Sequence, residues 1–171
     1  MDKGFIQVYT GDGKGKTTAA LGLALRCLCG GYKVFFGQFM KGRDYSELKA
    51  VAYFTDLTME QYGAKEFVKE DPSDEEILKA QEGLSRIGEA LRSGGYKLVV
   101  LDEVNTAIDH KLLDVMDVIE VLEHRYRETE VVLTGRNAPP EIIGIADLVT
   151  EMREIKHYYS RGVRGRRGIE Y

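Results

Sequence analysis

The stretch Thr10-Gly11-Asp12-Gly13-Lys14-Gly15-Lys16-Thr17-Thr18 decides the fold of this chain. Residues 5–9 before it are mainly β-branched or aromatic, which predicts a strand. Residues 19–25 after it are rich in alanine and leucine and predict a helix. A strand, a glycine-rich loop ending in Gly-Lys-Thr and a helix form the arrangement of a phosphate-binding P-loop. The sequence therefore predicts a loop that binds a nucleoside triphosphate rather than a glycine-rich turn without a ligand.

The chemistry of the loop follows from its residue types. Glycines allow backbone N–H groups to converge on phosphate oxygens, and the start of a helix adds partial positive charge. The Lys16 ammonium can reach the outer phosphates, and the Thr17 hydroxyl can hold a Mg²⁺ ion. The usual pattern begins with glycine where this chain has Thr10. The predicted nucleotide-binding residues are Gly11, Asp12, Gly13, Lys14, Gly15, Lys16, Thr17 and Thr18.

A second candidate element is the apolar run at 97–101, which ends in Asp102 and Glu103. An apolar strand without polar alternation is typical of the middle of a parallel sheet, and two carboxylates at its end are typical of a Walker B strand. Either carboxylate can hold Mg²⁺ opposite the Thr17 hydroxyl, and Glu103 can alternatively activate a water. Arg136, just after the next predicted strand, can reach the same edge or be an ordinary surface arginine. Lys16, Glu103 and Arg136 are the candidate catalytic residues, and Thr17, Asp102 and Glu103 the candidate metal ligands.

The remaining segments alternate between strand and helix patterns. Further strands are predicted at 33–39, 57–62, 130–134 and 148–155. Helices are predicted from a capping box at Ser73 to Gly94-Gly95, along an apolar stripe at 112–126, and after Pro139-Pro140. This alternation predicts an α/β fold, a single P-loop domain over residues 1–171 with a mainly parallel sheet flanked by helices.

Length and charge set the class of protein. The chain has 171 residues and a net charge of −4, so it is not an electrostatic trap for nucleic acid. The N-terminal residues contain no apolar signal segment, and Arg26 interrupts the longest apolar stretch. Cys27 and Cys29 form no metal-binding pattern and are interpreted as small core residues. We expect a cytoplasmic protein that binds neither membranes nor nucleic acid.

The motifs together resemble a known family, the CobA/BtuR-type ATP:corrinoid adenosyltransferases. The resemblance covers most of the chain. Beyond the P-loop it is carried by Gln38-Phe39-Met40-Lys41-Gly42, Leu101-Asp102-Glu103, Leu133-Thr134-Gly135-Arg136, residues 146–152 and the ending Gly168-Ile169-Glu170-Tyr171. It implies a RecA-like domain, usually a homodimer, which transfers the 5′-deoxyadenosyl group of ATP to the cobalt of a reduced corrinoid such as cobalamin and releases triphosphate. A transient flavoprotein reductase is the implied partner that supplies Co(I).

The resemblance also assigns roles to residues. It implies that Lys16, Thr17 and Thr18 hold the triphosphate, that Glu103 and Thr17 hold Mg²⁺, and that Phe67 contacts the corrinoid. The chain departs from the family pattern in three ways. The predicted strand starts almost at once, where some members first carry an N-terminal arm that covers the site, there is no tryptophan beside Phe67, and Asp12 stands where others carry asparagine.

Other functions use the same motifs. A RecA-like ATPase or small-molecule kinase would also need Lys16, Thr17 and Glu103, and a regulatory module could bind ATP without chemistry. The basic residues of the tail, Arg161, Arg164, Arg166 and Arg167, are typical of nucleic-acid binding, but the acidic net charge argues against that function. The adenosyltransferase is the main hypothesis, and the ATPase or kinase is the alternative.

Overall fold

The computed structural model describes residues 3–64 and 72–171, and contains a six-stranded parallel sheet. The strands lie in the order β3-β2-β4-β5-β1-β6, and every neighbouring pair is parallel. Their bounds are β1 Ile6–Thr10, β2 Val34–Phe39, β3 Leu57–Tyr62, β4 Leu98–Asp102, β5 Glu130–Thr134 and β6 Leu148–Glu151. The predicted α/β fold with a parallel sheet is confirmed.

Helices connect these strands and cover both faces of the sheet. They are α1 Lys16–Cys29, α2 Asp74–Ser93, α3 Val104–Asp109, α4 Val115–Glu123 and α5 Pro140–Ile145, with 3-10 helices at Ser46–Ala52 and Tyr158–Arg161. The capping box predicted for α2 is present: the Ser73 hydroxyl accepts from the Glu76 N–H, and the Glu76 carboxylate accepts from the Ser73 N–H. Gly94 ends α2 in the left-handed conformation, as the glycine pair predicted.

The core is divided by the sheet because successive strand side chains point to opposite faces. On one face Phe35, Phe39 and Leu101 pack with α2 and its neighbours, and on the other Phe36 and Val100 pack with α1. All residues of β2 and β4 are buried, as expected for central parallel strands. The buried packing of both strands therefore fixes the positions of the polar residues at their ends.

Three sequence expectations are corrected by the structure. The apolar stripe at 112–126 contains a shorter helix, α4, because the Asp114 side chain accepts from the Met116 N–H and caps it there. Strand β6 ends at Glu151 instead of continuing to residue 155. Cys29 is exposed and is therefore not a core residue, whereas Cys27 is partly buried and packs against the core.

One short helix was not predicted. α3 starts directly after Glu103, at the end of β4. Within the described residues, no helix is long and apolar enough to span a lipid bilayer.

Candidate functional site

A cavity of about 930 Å³ lies where the carboxyl ends of the parallel strands meet, the edge at which such sheets bind ligands. The structure brings most of the predicted residues to this cavity. Its lining includes Asp12, Gly13, Lys14, Gly15, Lys16, Thr17, Thr18, Glu103 and Arg136. Gly11 and Asp102 lie outside this lining, and both are connected to it by hydrogen bonds to Lys16 and Thr17 respectively.

The glycines of the loop are required by packing. A Cβ atom on Gly11 would lie 2.4 Å from the Met152 carbonyl oxygen, and one on Gly13 would lie 2.8 Å from the same oxygen and from the Arg153 carbonyl carbon. The Gly13 N–H also donates to the Met152 carbonyl at 2.7 Å. Gly15 has φ 123°, which favours glycine. The chain just after β6 therefore supports the loop from behind, a role that the sequence did not reveal.

Lys16 lies inside the curve of the loop. Its ammonium donates to the carbonyl oxygens of Gly11 at 2.6 Å and Gly13 at 2.9 Å, and only 8% of the residue is exposed. Burial lowers the pKa of this ammonium, and the Glu103 carboxylate offsets this only in part. The side chain is thus held in the loop with its charge at the cavity wall.

Asp102 is fully buried, and each of its carboxylate oxygens accepts two hydrogen bonds. One oxygen accepts from the hydroxyls of Thr17 at 2.8 Å and Thr134 at 2.7 Å. The other accepts from the Lys41 ammonium at 2.8 Å and the Gln38 amide at 3.2 Å. Asp102 therefore orients the Thr17 hydroxyl and joins three neighbouring elements of the site.

Lys41 is a site residue whose role sequence reasoning missed. Burial alone would lower its pKa, but the Asp102 carboxylate, together with Glu47 and Glu103, raises it above the usual value. Its ammonium also lies 5.2 Å from the centre of the Tyr45 ring and 3.7 Å from a Glu47 oxygen. The sequence contained one signal for this role, the position of Lys41. Lys41 comes just after the end of β2, and Asp102 is the last residue of the neighbouring strand β4.

The Glu103 carboxylate has a different hydrogen-bond partner from that of Asp102. Its backbone adopts the left-handed conformation, φ 62°, and its N–H donates to the Thr134 hydroxyl at 2.9 Å. This conformation is rare for a residue with a side chain and is concentrated at functional sites. Its carboxylate accepts from the Thr106 hydroxyl at 2.7 Å and lines the cavity. Adjacent carboxylates in the sequence thus have different environments: Asp102 is enclosed and Glu103 faces the cavity.

Arg136 and Asp12 lie at the open side of the loop. The Arg136 guanidinium is 3.8 Å from an Asp12 oxygen, and both side chains are largely exposed. The backbone N–H of Arg136 donates to the Thr106 hydroxyl at 3.1 Å, which fixes the start of the Arg136 loop. Arg136 therefore lines the cavity with a largely exposed side chain.

The carboxyl-terminal segment also lines the cavity, which was not predicted. The Lys14 ammonium donates to the Glu170 carboxylate at 2.6 Å and to the Tyr158 hydroxyl at 2.9 Å. The Ser46 hydroxyl, also in the lining, donates to the Tyr171 carbonyl at 2.9 Å. Phe67, predicted from the resemblance to contact a corrinoid, lies outside the described residues.

The donor set suits a hard cation. Hydroxyl and carboxylate oxygens of Thr17 and Glu103 are the ligand types that Mg²⁺ prefers, and Mg²⁺ is usually held by one or two protein groups together with phosphates. Over residues 3–64 and 72–171 no three His, Cys, Asp or Glu side chains are grouped to hold an ion by themselves. A metal held mainly by the phosphates of a nucleotide fits these residues.

The parallel sheet, the glycine-rich loop before α1 and the carboxylates after β4 define a RecA-like P-loop domain. Comparison with known proteins gives the family. The family model for ATP:corrinoid adenosyltransferase BtuR/CobO/CobP matches residues 2–171. The chain belongs to this family.

Individual relatives agree with this assignment. The chain is 34% identical to a corrinoid adenosyltransferase of a Sinorhizobium species, with 99% of this chain and 81% of that protein covered. It is 33% identical to the corrinoid adenosyltransferase of Escherichia coli K12 and 34% identical to corrinoid adenosyltransferase CobA of Salmonella typhimurium. Each of these two matches covers 99% of this chain and 87% of the relative.

Proposed function

We propose that this protein transfers the 5′-deoxyadenosyl group of ATP to the Co(I) of a reduced corrinoid, making adenosylcobalamin and releasing triphosphate. The observation that supports it most is the cavity at the carboxyl edge of the sheet, where Lys16 and the start of α1 face the same space as Glu103. Family membership identifies the substrates as ATP and a corrinoid. Residues 1–171 act as one domain in this proposal.

The reaction requires stabilisation of charge on the leaving group. Co(I) supplies an electron pair to the ribose C5′, the cobalt–carbon bond forms, and the bond between C5′ and the triphosphate oxygen breaks. That electron pair leaves with the triphosphate, which gains negative charge. In this proposal Lys16 and N–H groups of the loop stabilise that charge, which is supported by the loop and Lys16 lining the cavity, and fixed donors of this kind are the main source of such stabilisation. Since Co(I) is the nucleophile, Glu103 need not act as a general base.

Mg²⁺ is part of the proposal. Thr17 and Glu103 hold it, and Asp102 acts through the Thr17 hydroxyl that it orients. When bound, the ion supplies positive charge that stabilises the triphosphate. Gly11, Asp12, Gly13, Lys14, Gly15 and Thr18 complete the phosphate side of the site, and Arg136 approaches it from the end of β5.

Partners and location complete the proposal. The resemblance supports a cytoplasmic homodimer that receives Co(I) corrinoid with the help of a flavoprotein reductase, and Phe67 contacts that corrinoid. The acidic net charge supports the absence of a nucleic-acid partner.

The products distinguish this function from an ATPase or kinase. The experiment incubates the protein with Mg²⁺, ATP and chemically reduced cobalamin without oxygen, and measures the phosphates and the corrinoid. We expect intact tripolyphosphate in proportion to a light-sensitive adenosyl–cobalt product. An ATPase or kinase breaks the terminal phosphorus–oxygen bond instead, so ADP formed at one rate with and without corrinoid would refute the proposal.

A further inference from the structure

We infer that residues 158–171, here called the tail, form a wall of the ATP pocket, and that Glu170 is the positioning residue that holds this wall to Lys14 of the P-loop. The kinetic part of this inference rests on the proposed function. The binding part does not, because it requires only that the cavity takes ATP.

The Glu170 carboxylate is the point where the tail is tied together. It accepts hydrogen bonds from the Lys14 ammonium and from the Tyr158 hydroxyl. It also accepts from the Arg166 backbone N–H at 2.8 Å and from the Arg166 guanidinium at 3.2 and 3.1 Å. Lys14 and the Arg166 guanidinium lie against the Tyr158 ring, at 5.6 and 5.0 Å from its centre. One carboxylate therefore joins the loop, the 3-10 helix and the end of the tail.

The charges explain why this carboxylate is ionised. Hydrogen bonds from Arg166, Lys14 and Tyr158 hold the pKa of Glu170 well below its usual range. Its side chain is 19% exposed, whereas that of Lys14 is 38% exposed. A carboxylate beside a triphosphate site is unfavourable unless it is neutralised, and two cations neutralise this one. Of the two cations, Lys14 lines the cavity.

The position of the tail shows what the cluster achieves. Gly168, Ile169, Glu170 and Tyr171 line the cavity together with the P-loop, as does Tyr159 from the other end of the tail. The tail also contacts the start of the 3-10 helix at Ser46–Ala52, where the Tyr171 carbonyl accepts from the Ser46 hydroxyl. Tyr159, Ile169 and Tyr171 are exposed hydrophobic side chains, which suit contact with the uncharged adenosine part of ATP. The tail thus supplies a surface that the P-loop lacks.

The test removes the negative charge of the Glu170 side chain and keeps its shape. Glu170→Gln is compared with the unmodified protein by calorimetric ATP binding without corrinoid, by KM for ATP and kcat with chemically reduced cobalamin, and by hydrogen–deuterium exchange of tail peptides. The matched control is Glu89→Gln, since Glu89 also pairs with an arginine, at 2.9 Å, but lies on the exposed side of α2.

We expect Glu170→Gln to raise the Kd and the KM for ATP about 3- to 10-fold, the scale of a charged network at a partly exposed site, and to leave kcat within about 2-fold. Tail peptides exchange faster in this variant, and Glu89→Gln changes none of these quantities. A packing role would leave ATP affinity unchanged in a glutamine variant of the same shape. If Glu170→Gln does not fold, Tyr158→Phe removes one donor to Glu170 and should move the same quantities by a smaller factor.

A double substitution with Lys14 tests whether Glu170 acts through the P-loop. In a Lys14→Met background the Glu170→Gln substitution should change the Kd by less than half as much, on a logarithmic scale, as in the unmodified protein. Equal effects in both backgrounds would overturn the role through Lys14. If Glu170→Gln loosens the tail but leaves the Kd for ATP unchanged, the inference that the tail is a wall of the ATP pocket is wrong. A lower Kd for ATP in this variant would show that the Glu170 carboxylate competes with phosphate. Normal ATP binding without any adenosyl–cobalt product in the unmodified protein would reject the proposed function and leave this inference intact.

Discussion

Two regions of the molecule, one buried beneath the cavity lining and one within it, are each organised around one carboxylate. The first is the buried centre, where Asp102 accepts from Thr17, Thr134, Gln38 and Lys41. The second is the tail, where Glu170 accepts from groups of three other residues, Lys14 among them. Asp102 is 0% exposed, and the Glu170 side chain is 19% exposed.

This difference in burial gives the two carboxylates different physical roles. A buried charge cannot be left without its partner, so Asp102 is coupled to the stability of the whole sheet. Exposed ion pairs contribute little to folding and are weakened by salt. The tail can therefore adjust while the centre is rigid, although both touch the P-loop.

The largest expected effect is on stability at the buried centre. Asp102→Asn should lower the free energy of unfolding by about 3 kcal/mol, because it removes the nearest counter-charge of the buried Lys41 ammonium and leaves only the Glu47 carboxylate at 3.7 Å. Urea unfolding followed by circular dichroism measures this. Adding Lys41→Met to Asp102→Asn should restore part of the loss, since the buried ammonium is then gone. A double variant as unstable as Asp102→Asn would show that the ion pair is not the cause.

Lys16 donates to the Gly11 and Gly13 carbonyls and bonds to neither carboxylate, so its substitution should affect catalysis more than stability. Lys16→Ala should leave a folded protein but reduce kcat/KM by about 10²-fold or more, the scale for removing one fixed charge stabiliser. Turnover with chemically reduced cobalamin measures it. Lys79→Ala, which removes a surface lysine paired with Glu75 at 2.7 Å, is the control. A Lys16→Ala rate close to normal would remove the loop from the mechanism.

The loop itself is held by backbone packing rather than by either carboxylate. Gly13→Ala should lower the free energy of unfolding by about 1–3 kcal/mol, because the new methyl group meets the backbone at Met152 and Arg153. Gly22→Ala in α1 meets no atom within 4 Å and should instead stabilise the protein by up to about 1 kcal/mol. Thermal melting compares them. Equal destabilisation by both substitutions would contradict the packing argument.

The smallest expected effect is that of salt concentration, which should differ between the tail and the buried centre. Raising the salt concentration from 0.1 to 1 M shortens the Debye length from about 10 to about 3 Å, which weakens exposed ion pairs more than buried ones. Amide exchange in 158–171 should accelerate a few-fold, while amides of β4 should be unaffected. The same acceleration in both segments would show that the salt acts on the whole fold, and no acceleration in the tail would show that charge does not hold it.

Local patterns were sufficient for much of the fold. The strand and helix on either side of the loop, the capping box at Ser73 and the buried strand β4 are confirmed. Each depends on residues close together in the chain, and helix capping, strand patterning and loop glycines follow rules of short range. The boundaries were less accurate, because α4 begins at a side-chain cap and β6 ends where its chain turns behind the P-loop.

The sequence by itself determined the P-loop arrangement, the parallel α/β fold and the family to which the chain belongs. Only the tertiary structure decided that Asp102 is enclosed while Glu103 faces the cavity, that Lys41 pairs with Asp102, and that Lys14 bonds to a residue 156 positions away. These arrangements depend on how distant segments approach one another at the sheet edge. Charge, burial and hydrogen bonding at that edge are set by the packing of the strands, which no local spacing of residues records.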